Sequence, residues 1–175
     1  MAKYVALLRA VNVGGTGKLP VTELKAMCEE AGFANVQTYI ASGNVVFASK
    51  ASPAKVKAML EARLLAYAGK PIGVVVRTAS EMAAVLKANP FSKLPPNYTV
   101  AIFLDKPPPS DVLDHVAGVK DEKMRLGRRE IFVHYGSGQG KSKLRIPAAK
   151  TGTARNMNTI AKLAGMAAGL KDDAR

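Results

Sequence analysis

Residues 36–48, VQTYIASGNVVFA, determine how the first half of the chain is interpreted. Residues 36–40 and 45–48 are short runs with β-branched and aromatic residues, and Ser42-Gly43-Asn44 between them is a turn sequence. The stretch therefore predicts two strands that are joined through this turn.

The segments on either side of these strands predict two helices and two further strands. Pro20 and Gly32 bracket an amphipathic helix, and Ser52 caps a second one. Residues 4–9 and 72–77 are apolar runs typical of strands. The order β-α-β-β-α-β is that of the split-βαβ, or ferredoxin-like, arrangement, in which both helices cover one face of the sheet and the other face is open. The core face of the second helix is expected to contain Val56, Met59, Leu60, Leu64 and Tyr67.

The second half repeats this pattern from a different starting point. Thr78 and Glu81 have the spacing of a capping box that opens a helix. Further helices are predicted at residues 110–116 and 155–168, and strands at 99–104, 123–126 and 131–135. The sequence thus predicts an α+β protein of two ferredoxin-like halves, with mainly antiparallel sheets and helices on one face. We place the domains at residues 1–78 (βαββαβ) and 79–175 (αβαββα, with a basic C-terminal segment), packed as one compact unit.

The charge of the chain is unbalanced. Its 175 residues include 26 Lys and Arg against 13 Asp and Glu, which gives a net charge of +13 and a pI near 10. Such a balance favours polyanionic partners, or ligands that carry phosphate or carboxylate groups. No acidic residue occurs between Glu130 and Asp172, a span interpreted either as a solvated basic surface or as an anion-binding edge. That span contains Lys141, Lys143, Arg145, Lys150, Arg155, Lys162 and Lys171.

Composition excludes several classes of protein. Apolar residues make up 48% of the chain, enough for a buried core, so a disordered chain is excluded. No apolar run approaches the roughly 20 residues that span a bilayer, and residues 4–8 are too short for a signal-peptide core. Cys28 is the single cysteine and forms no internal disulfide. We therefore expect a soluble, cytoplasmic protein without membrane association, and the oligomeric state is not predicted.

Residues that often carry covalent or metal chemistry are few and scattered. Cys28 lies on the apolar face of a predicted helix and is interpreted as a core residue. His115 is interpreted as exposed, and His134, which alternates with apolar residues of a strand, as buried and hydrogen-bonded. No metal-ligand cluster and no Gly-x-Ser-x-Gly motif occur. The sequence therefore predicts no metal and no cofactor, and it contains no catalytic signature that would decide whether the chain is an enzyme.

Three polar segments are candidates for binding phosphate. Residues 136–142, GSGQGKS, and residues 14–18, GGTGK, both depart from the P-loop spacing, and we interpret them as looser cradles of backbone N–H groups. Residues 151–159, TGTARNMNT, are predicted to open the last helix. There Arg155, with neutral contacts from Asn156, Asn158 and Thr159, binds an anion, or else the segment is an ordinary helix start capped by Thr153 or Asn156.

Four motifs together resemble a known bacterial family. They are YVALLRAVNVGG (residues 4–15), TYIASGNVVF (38–47), GKSKL (140–144) and TARNMNT (153–159). In order and spacing they are similar to the family catalogued as domain of unknown function 1697 (DUF1697), along nearly the whole chain. The resemblance implies an α+β fold with ferredoxin-like parts, and it brings no established activity, substrate or cofactor.

The resemblance also implies which polar positions recur in the family. They fall on Arg9, Asn12, Gly14, Gly15, Ser42, Gly43, Asn44, Lys143, Arg155 and Asn156. Because these motifs lie in predicted loops or at the ends of elements, we hypothesise one anion-binding cleft shared by the two halves. The chain departs from the family at Ala10, where Gly is usual, and at Met157, where Trp is usual. The segment before the Arg-Asn motif is also shorter and lacks the family's acidic residue.

These observations favour a protein that binds a phosphate-bearing ligand at that cleft, either nucleic acid or a nucleotide-like small molecule. RNA-recognition modules share the predicted strand order, but the outer strands here offer only Tyr4 and Phe47, and the basic-aromatic signature of those modules is missing. One alternative is an enzyme on a small anionic metabolite that uses electrostatic stabilisation without a metal or a covalent nucleophile. Another is a structural or assembly module whose uncovered sheet face pairs with itself or with a partner.

Overall fold

The computed structural model of the protein describes residues 1–11 and 18–171. This part contains two four-stranded antiparallel sheets and four α-helices, which confirms the predicted α+β class. The strands are β1 (Ala2–Leu8), β2 (Ala34–Thr38), β3 (Asn44–Ser49), β4 (Val74–Thr78), β5 (Thr99–Phe103), β6 (Lys123–Leu126), β7 (Glu130–His134) and β8 (Thr153–Asn156). The helices are α1 (Val21–Glu30), α2 (Pro53–Ala68), α3 (Ala79–Lys87) and α4 (Met157–Ala168). Within this described part, no helix combines the length and the apolar character that crossing a bilayer requires.

The first sheet has the order β2-β3-β1-β4, and each neighbouring pair is antiparallel. β1 lies between β3 and β4 and pairs Val5 with Val46 on one side and with Arg77 on the other. As predicted, α1 and α2 pack on one face of this sheet. That core contains Tyr4, Ala6, Leu8, Phe47 and Val76 from the strands, Leu24 and Cys28 from α1, and Val56, Leu60 and Leu64 from α2.

Hydrogen bonds from side chains fix where two of the helices begin. Ser52 Oγ accepts the Lys55 N–H at 3.2 Å where α2 begins. Thr78 and Glu81 form the predicted capping box of α3: the Glu81 N–H donates to Thr78 Oγ1 at 3.2 Å, and the Thr78 N–H donates to Glu81 Oε1 at 2.9 Å. Tyr67 is exposed near the end of α2, so its assignment to the core face was wrong.

The second face of the first sheet is buried as well, although the sequence analysis expected it to be open. Val5, Leu7 and Val46 have no solvent-exposed surface, and Val75 and Arg77 have almost none. Successive side chains of a strand point to opposite faces, so β1 is an interior strand on both sides. These strands therefore lack the uncovered face on which a sheet-pairing module would depend.

The second sheet has the order β6-β7-β5-β8 and is also antiparallel throughout. The two sheets have the same topology. In each, the strand that comes first in the chain (β1 or β5) lies between the third and the fourth. Loops and 3-10 turns cover one face of this sheet. Its core contains Val100, Ile102, Ile131 and Val133 from the strands, together with Val112, Tyr135, Leu144 and Ile146 from the loops and turns.

Two helix predictions for this half are corrected. A single 3-10 turn (Val112–His115) replaces the helix predicted at residues 110–116, because Val116 is extended and Ala117 pairs with Arg145 as a β-bridge. The last helix begins at Met157 and not at residue 155, because Thr153–Asn156 pairs with β5 as a strand. Pairing with a buried central strand overrides the local helix signal there.

The chain divides into two compact units. The first is Met1–Ala83 with the segment from Lys162 onward, and the second is Ala84–Ala161. The boundary predicted from the sequence lies after residue 78, with the C-terminal segment in the second half. That division and the packing of the halves as one unit stay predictions. Within the first unit, the Asn35 side chain donates to the Lys171 carbonyl oxygen at 3.0 Å.

A close approach at Gly43 joins the start of β3 to the end of β1. The Leu8 N–H donates to the Gly43 carbonyl oxygen at 2.9 Å, and Gly43 has a φ of +87°. A Cβ at this position would lie 2.6 Å from Val11 Cγ2 and 2.8 Å from Leu8 Cβ. Only glycine fits both this backbone conformation and this space.

Replacing Gly43 with Ala is expected to lower the free energy of unfolding by about 2–5 kcal/mol, because the new Cβ overlaps Leu8 and Val11 in a left-handed backbone. Gly165→Ala in α4 is the control. A Cβ there meets nothing within 4 Å, so this variant should gain about 0.5–1 kcal/mol. Urea denaturation measures both, and an unchanged unfolding midpoint for G43A would contradict the close approach.

Candidate functional site

The predicted site residues of the first unit gather at one end of its sheet. Arg9 follows β1, and Ser42 and Asn44 flank Gly43 where β3 begins. The Asn44 side chain is completely buried and donates to the Tyr39 carbonyl oxygen at 2.9 Å and to Ser42 Oγ at 2.8 Å. These bonds close the turn that precedes β3, so Asn44 and Ser42 hold the local backbone in place.

Arg9 and Ala10 directly follow β1. The Arg9 N–H donates to the Gly73 carbonyl oxygen at 2.9 Å, and a Cβ at Gly73 would lie 3.0 Å from Arg9 Cδ. Ala10 has a φ of +50°, a left-handed conformation that glycine adopts more easily, which accounts for glycine as the usual residue of this motif. The next predicted site residues lie outside the described part of the chain: Asn12, Gly14 and Gly15.

The sequence predicts Arg155 at the N-terminus of the last helix, and this prediction is wrong. Arg155 belongs to β8, and only 7% of its surface is exposed. Its guanidinium donates to Thr153 Oγ1 at 2.6 Å and to the Ala154 carbonyl oxygen at 2.9 Å, and burial lowers its pKa to about 10. Asn156 is a helix cap, since its Oδ1 accepts the Thr159 N–H at 2.9 Å where α4 begins.

Lys143 lines a cavity of about 400 Å³ in the second unit, which we call the loop cavity. Two loops form its walls, one before β6 and one after β7. The loop after β7 includes the glycine-rich motif, but it contains a 3-10 turn (Gln139–Lys141) and so differs from the strand–loop–α-helix order of a P-loop. The lining residues are Gly118, Lys120, Asp121, Glu122, Ser137, Gly138, Lys141, Ser142 and Lys143.

Backbone contacts bring these two loops together. Ala117 and Arg145 form an isolated antiparallel bridge, with N–H···O distances of 3.0 and 2.8 Å. Gly118, with a φ of +73°, comes so close to the other loop that a Cβ would lie 2.1 Å from the Lys143 carbonyl oxygen. The glycine is therefore required for the loops to meet.

Two serine–carboxylate hydrogen bonds add to the backbone contacts. Ser142 Oγ donates to Glu122, and Ser137 Oγ donates to Asp121. Glu122 also accepts the Lys120 N–H at 2.7 Å. The hydrogen bond from Ser142, followed by those from backbone N–H groups, holds the pKa of Glu122 below its ordinary value. An ionised Glu122 thus anchors the glycine-rich loop at neutral pH.

Lysine side chains give the loop cavity its cations. Lys120, Lys141 and Lys143 are exposed, and none of them forms an ion pair with the residues that the structure describes. The carboxylates of Asp121 and Glu122 accept hydroxyl and N–H donors. The cavity therefore presents both ammonium groups and carboxylate oxygens to a ligand.

Tyr98 lies beside the loop cavity and was not among the predicted site residues. The residue is 42% exposed, and its Cε1 lies 3.8 Å from the position of a Cβ at Gly138. The Tyr135 N–H donates to the Tyr98 carbonyl oxygen at 2.7 Å. The sequence signal for Tyr98 is an aromatic residue directly after a proline-rich loop, but the pairing of β5 with β7 decides which loop it meets.

His134 and Cys28 are both buried, as the sequence predicts. His134 is buried, and its Nδ1 lies 2.8 Å from Thr99 Oγ1. Cys28 is buried in the first core, where desolvation raises its thiol pKa to about 12. Across residues 1–11 and 18–171, no group of three or more His, Cys, Asp or Glu side chains is arranged to hold a metal ion.

Aromatic residues of the first sheet are not accessible to nucleic-acid bases. Tyr4 and Phe47 belong to the core covered by α1 and α2. Phe47 stacks on Phe33 with ring centres 4.3 Å apart, and the Tyr4 hydroxyl donates to the Ala51 carbonyl oxygen at 2.6 Å. Base stacking on these two rings is therefore excluded.

Glu122→Gln is expected to lower the stability of the protein in a pH-dependent way. Because the folded-state pKa of Glu122 is lowered, its stabilisation is present above the unfolded-state pKa and is lost as the pH falls through the folded-state pKa. The stability difference between wild type and E122Q should therefore be largest near pH 7 and shrink below about pH 4.

Urea denaturation at a series of pH values measures this difference. Asp114→Asn is the control, because Asp114 is an exposed carboxylate of the turn Val112–His115, away from the loop cavity. A difference for E122Q that is constant between pH 7 and pH 3 would show that Glu122 does not anchor the loop as an ionised group.

Comparison with known proteins confirms the family, through a match that includes the first two motifs and ends before GKSKL and TARNMNT. A family model described as "Protein of unknown function (DUF1697)" matches residues 1–132. Among solved structures, the conserved bacterial protein SP0830 from Streptococcus pneumoniae is similar, with a TM-score of 0.78 and 25% sequence identity over 94% of this chain and 98% of that chain. No curated protein matches. Because the family match spans residues 1–132 of 175, the chain belongs to the DUF1697 family.

Proposed function

We propose that the protein binds a nucleotide-like small molecule in the loop cavity. The observation that carries this proposal is that Lys120, Lys141 and Lys143 line one cavity together with two carboxylates. Its volume of about 400 Å³ is within the range of small-molecule sites, roughly 300–1,000 Å³. The binding part of the chain is then the second unit.

The lysines are suited to a phosphate group. Lys141 and Lys143 come from the glycine-rich loop, and Lys120 comes from the opposite wall. Ammonium groups bind phosphate oxygens through charge-assisted hydrogen bonds. Since these three lysines have no ion pair among the described residues, a phosphate can pair with them without breaking an existing contact.

The other residues favour a small molecule with hydroxyl groups and a base. The carboxylates of Asp121 and Glu122 can accept hydrogen bonds from hydroxyl groups such as those of ribose, and they repel the further phosphates of a long polyanion. Tyr98 adds an exposed aromatic ring next to Gly138, on which a base can stack. Phosphate, sugar hydroxyls and base together make a nucleotide.

Of the site residues predicted from the sequence, Lys143 is the one that lines the loop cavity and can bind this ligand. Arg155 is an interior residue of β8, and Asn156 caps α4. Arg9, Ser42 and Asn44 belong to the first unit, and their part in a cleft shared by the two halves stays a prediction. The phosphate-bearing class of ligand is the one that the net charge of +13 favours.

Isothermal titration calorimetry with the four 5′-ribonucleoside monophosphates tests the proposal. We expect a monophosphate to bind more tightly than its nucleoside or inorganic phosphate, because it offers both base and phosphate. The double variant Lys141→Ala/Lys143→Ala should weaken binding about tenfold or more, since a charged hydrogen bond contributes about 1.5–3 kcal/mol. Tyr98→Ala should weaken it about 5- to 100-fold through the loss of one stacked base.

Matched controls come from the first unit. Tyr67 is exposed to a similar extent, 46% against 42% for Tyr98, so Tyr67→Ala should leave binding unchanged. Lys25→Ala/Lys55→Ala removes two exposed charges that do not line the loop cavity and should do the same. The proposal is contradicted if no monophosphate binds at millimolar concentration, or if the cavity variants bind as their controls do.

A further inference from the structure

A second cavity in the same unit has a different chemistry. It has a volume of about 380 Å³, and we call it the Phe91 cavity. Residues 90–94 form one wall, and Lys123 and Arg125 of β6 form the other. Among the residues that the structure describes, its lining carries the cations Lys93, Lys123 and Arg125 and no Asp or Glu.

Strand register brings these residues together. β6 is the outer strand of the second sheet, and Lys123 and Arg125 lie opposite His134 and Phe132 of β7. Opposed residues of an antiparallel pair project from the same face, so both cations lie on one face of the sheet edge. The Phe91 ring packs beside His134 with ring centres 6.2 Å apart, which places residues 90–94 over that same face.

The wall opposite β6 is held by local hydrogen bonds. Asn89 Oδ1 accepts the Phe91 N–H at 2.9 Å, and the Leu94 N–H donates to the Phe91 carbonyl oxygen at 2.9 Å. His134 in turn is fixed by its 2.8 Å hydrogen bond with Thr99. The cavity is therefore formed by ordered contacts and not by chance neighbours on the surface.

Positive charge on an outer strand also has a simpler explanation, because lysine and arginine at a sheet edge discourage pairing with another chain. That explanation accounts for Lys123 and Arg125, but not for Lys93, which reaches the same cavity from a different segment. All three side chains are exposed, and with the residues that the structure describes none of them forms an ion pair. Clustered like charges repel one another, and an anion bound among them would relieve that repulsion.

We propose that the Phe91 cavity binds the phosphate backbone of single-stranded nucleic acid. Lys123 and Arg125 are two residues apart on an extended strand, hence about 6.6 Å apart along the open edge of the sheet, and can contact neighbouring phosphates of one strand. Unlike the loop cavity, this one has no described carboxylate that would repel a second phosphate. Pro90 and Leu94 add an apolar surface beside these cations, against which the unstacked bases of a single strand can pack. This proposal is independent of the ligand of the loop cavity.

Fluorescence anisotropy with a fluorescein-labelled 15-nucleotide single strand, titrated at several KCl concentrations, tests this proposal. The wild-type protein should bind with an affinity that falls as salt rises. The variant Lys93→Ala/Lys123→Ala/Arg125→Ala should bind about tenfold or more weakly at low salt. Its log–log salt slope should be flatter by about two, since each phosphate contact on a single strand contributes about 0.7.

The control Lys25→Ala/Lys50→Ala/Lys70→Ala removes the same charge from exposed positions of the first unit and should keep most of the affinity. Equal urea midpoints confirm that the variants fold. The proposal is overturned if the wild type does not bind at low salt, if the two triple variants lose affinity equally, or if a 15-base-pair duplex binds as tightly as the single strand.

Discussion

Both sheets depend on an interior strand with a fully buried run of five residues. β1 pairs with β3 and β4, and β5 pairs with β7 and β8, partners that are distant in sequence. Such a strand needs small or apolar side chains on both faces and partners for all its backbone groups. The runs YVALL (residues 4–8) and TVAIF (residues 99–103) meet this requirement. Register with these two strands then fixes where each remaining strand begins and which loops meet.

The two units differ in what covers their strands, and this difference creates the candidate site. In the first unit, α1 follows the first strand of the sheet and α2 follows the third, and both fill the core. In the second unit, the corresponding connections contain 3-10 turns and loops. Both walls of the loop cavity belong to these connections. Loops leave backbone groups and charged side chains at the surface, where a ligand can reach them.

Features set by neighbouring residues were predictable from the sequence. The cap at Ser52, the capping box of Thr78 and Glu81 and the core position of Cys28 each follow from a local pattern, and the structure has all three. Arg155 was misplaced because TARN has the composition of a helix start, whereas pairing with β5 makes it a strand. A signal did exist: Arg77 directly precedes the cap Thr78, as Arg155 directly precedes the cap Asn156, and both arginines are buried in a strand. The loop cavity and Tyr98 depend on contacts between distant segments, which local patterns do not specify.

An NMR titration of the ¹⁵N-labelled protein with adenosine 5′-monophosphate tests directly whether the loops of the second unit bind a nucleotide. Amide shifts should change in residues 118–122 and 136–143 and at Tyr98, while those of α1 and α2 stay constant. Shifts confined to the first unit, or no shifts at millimolar nucleotide, would contradict nucleotide binding by these loops.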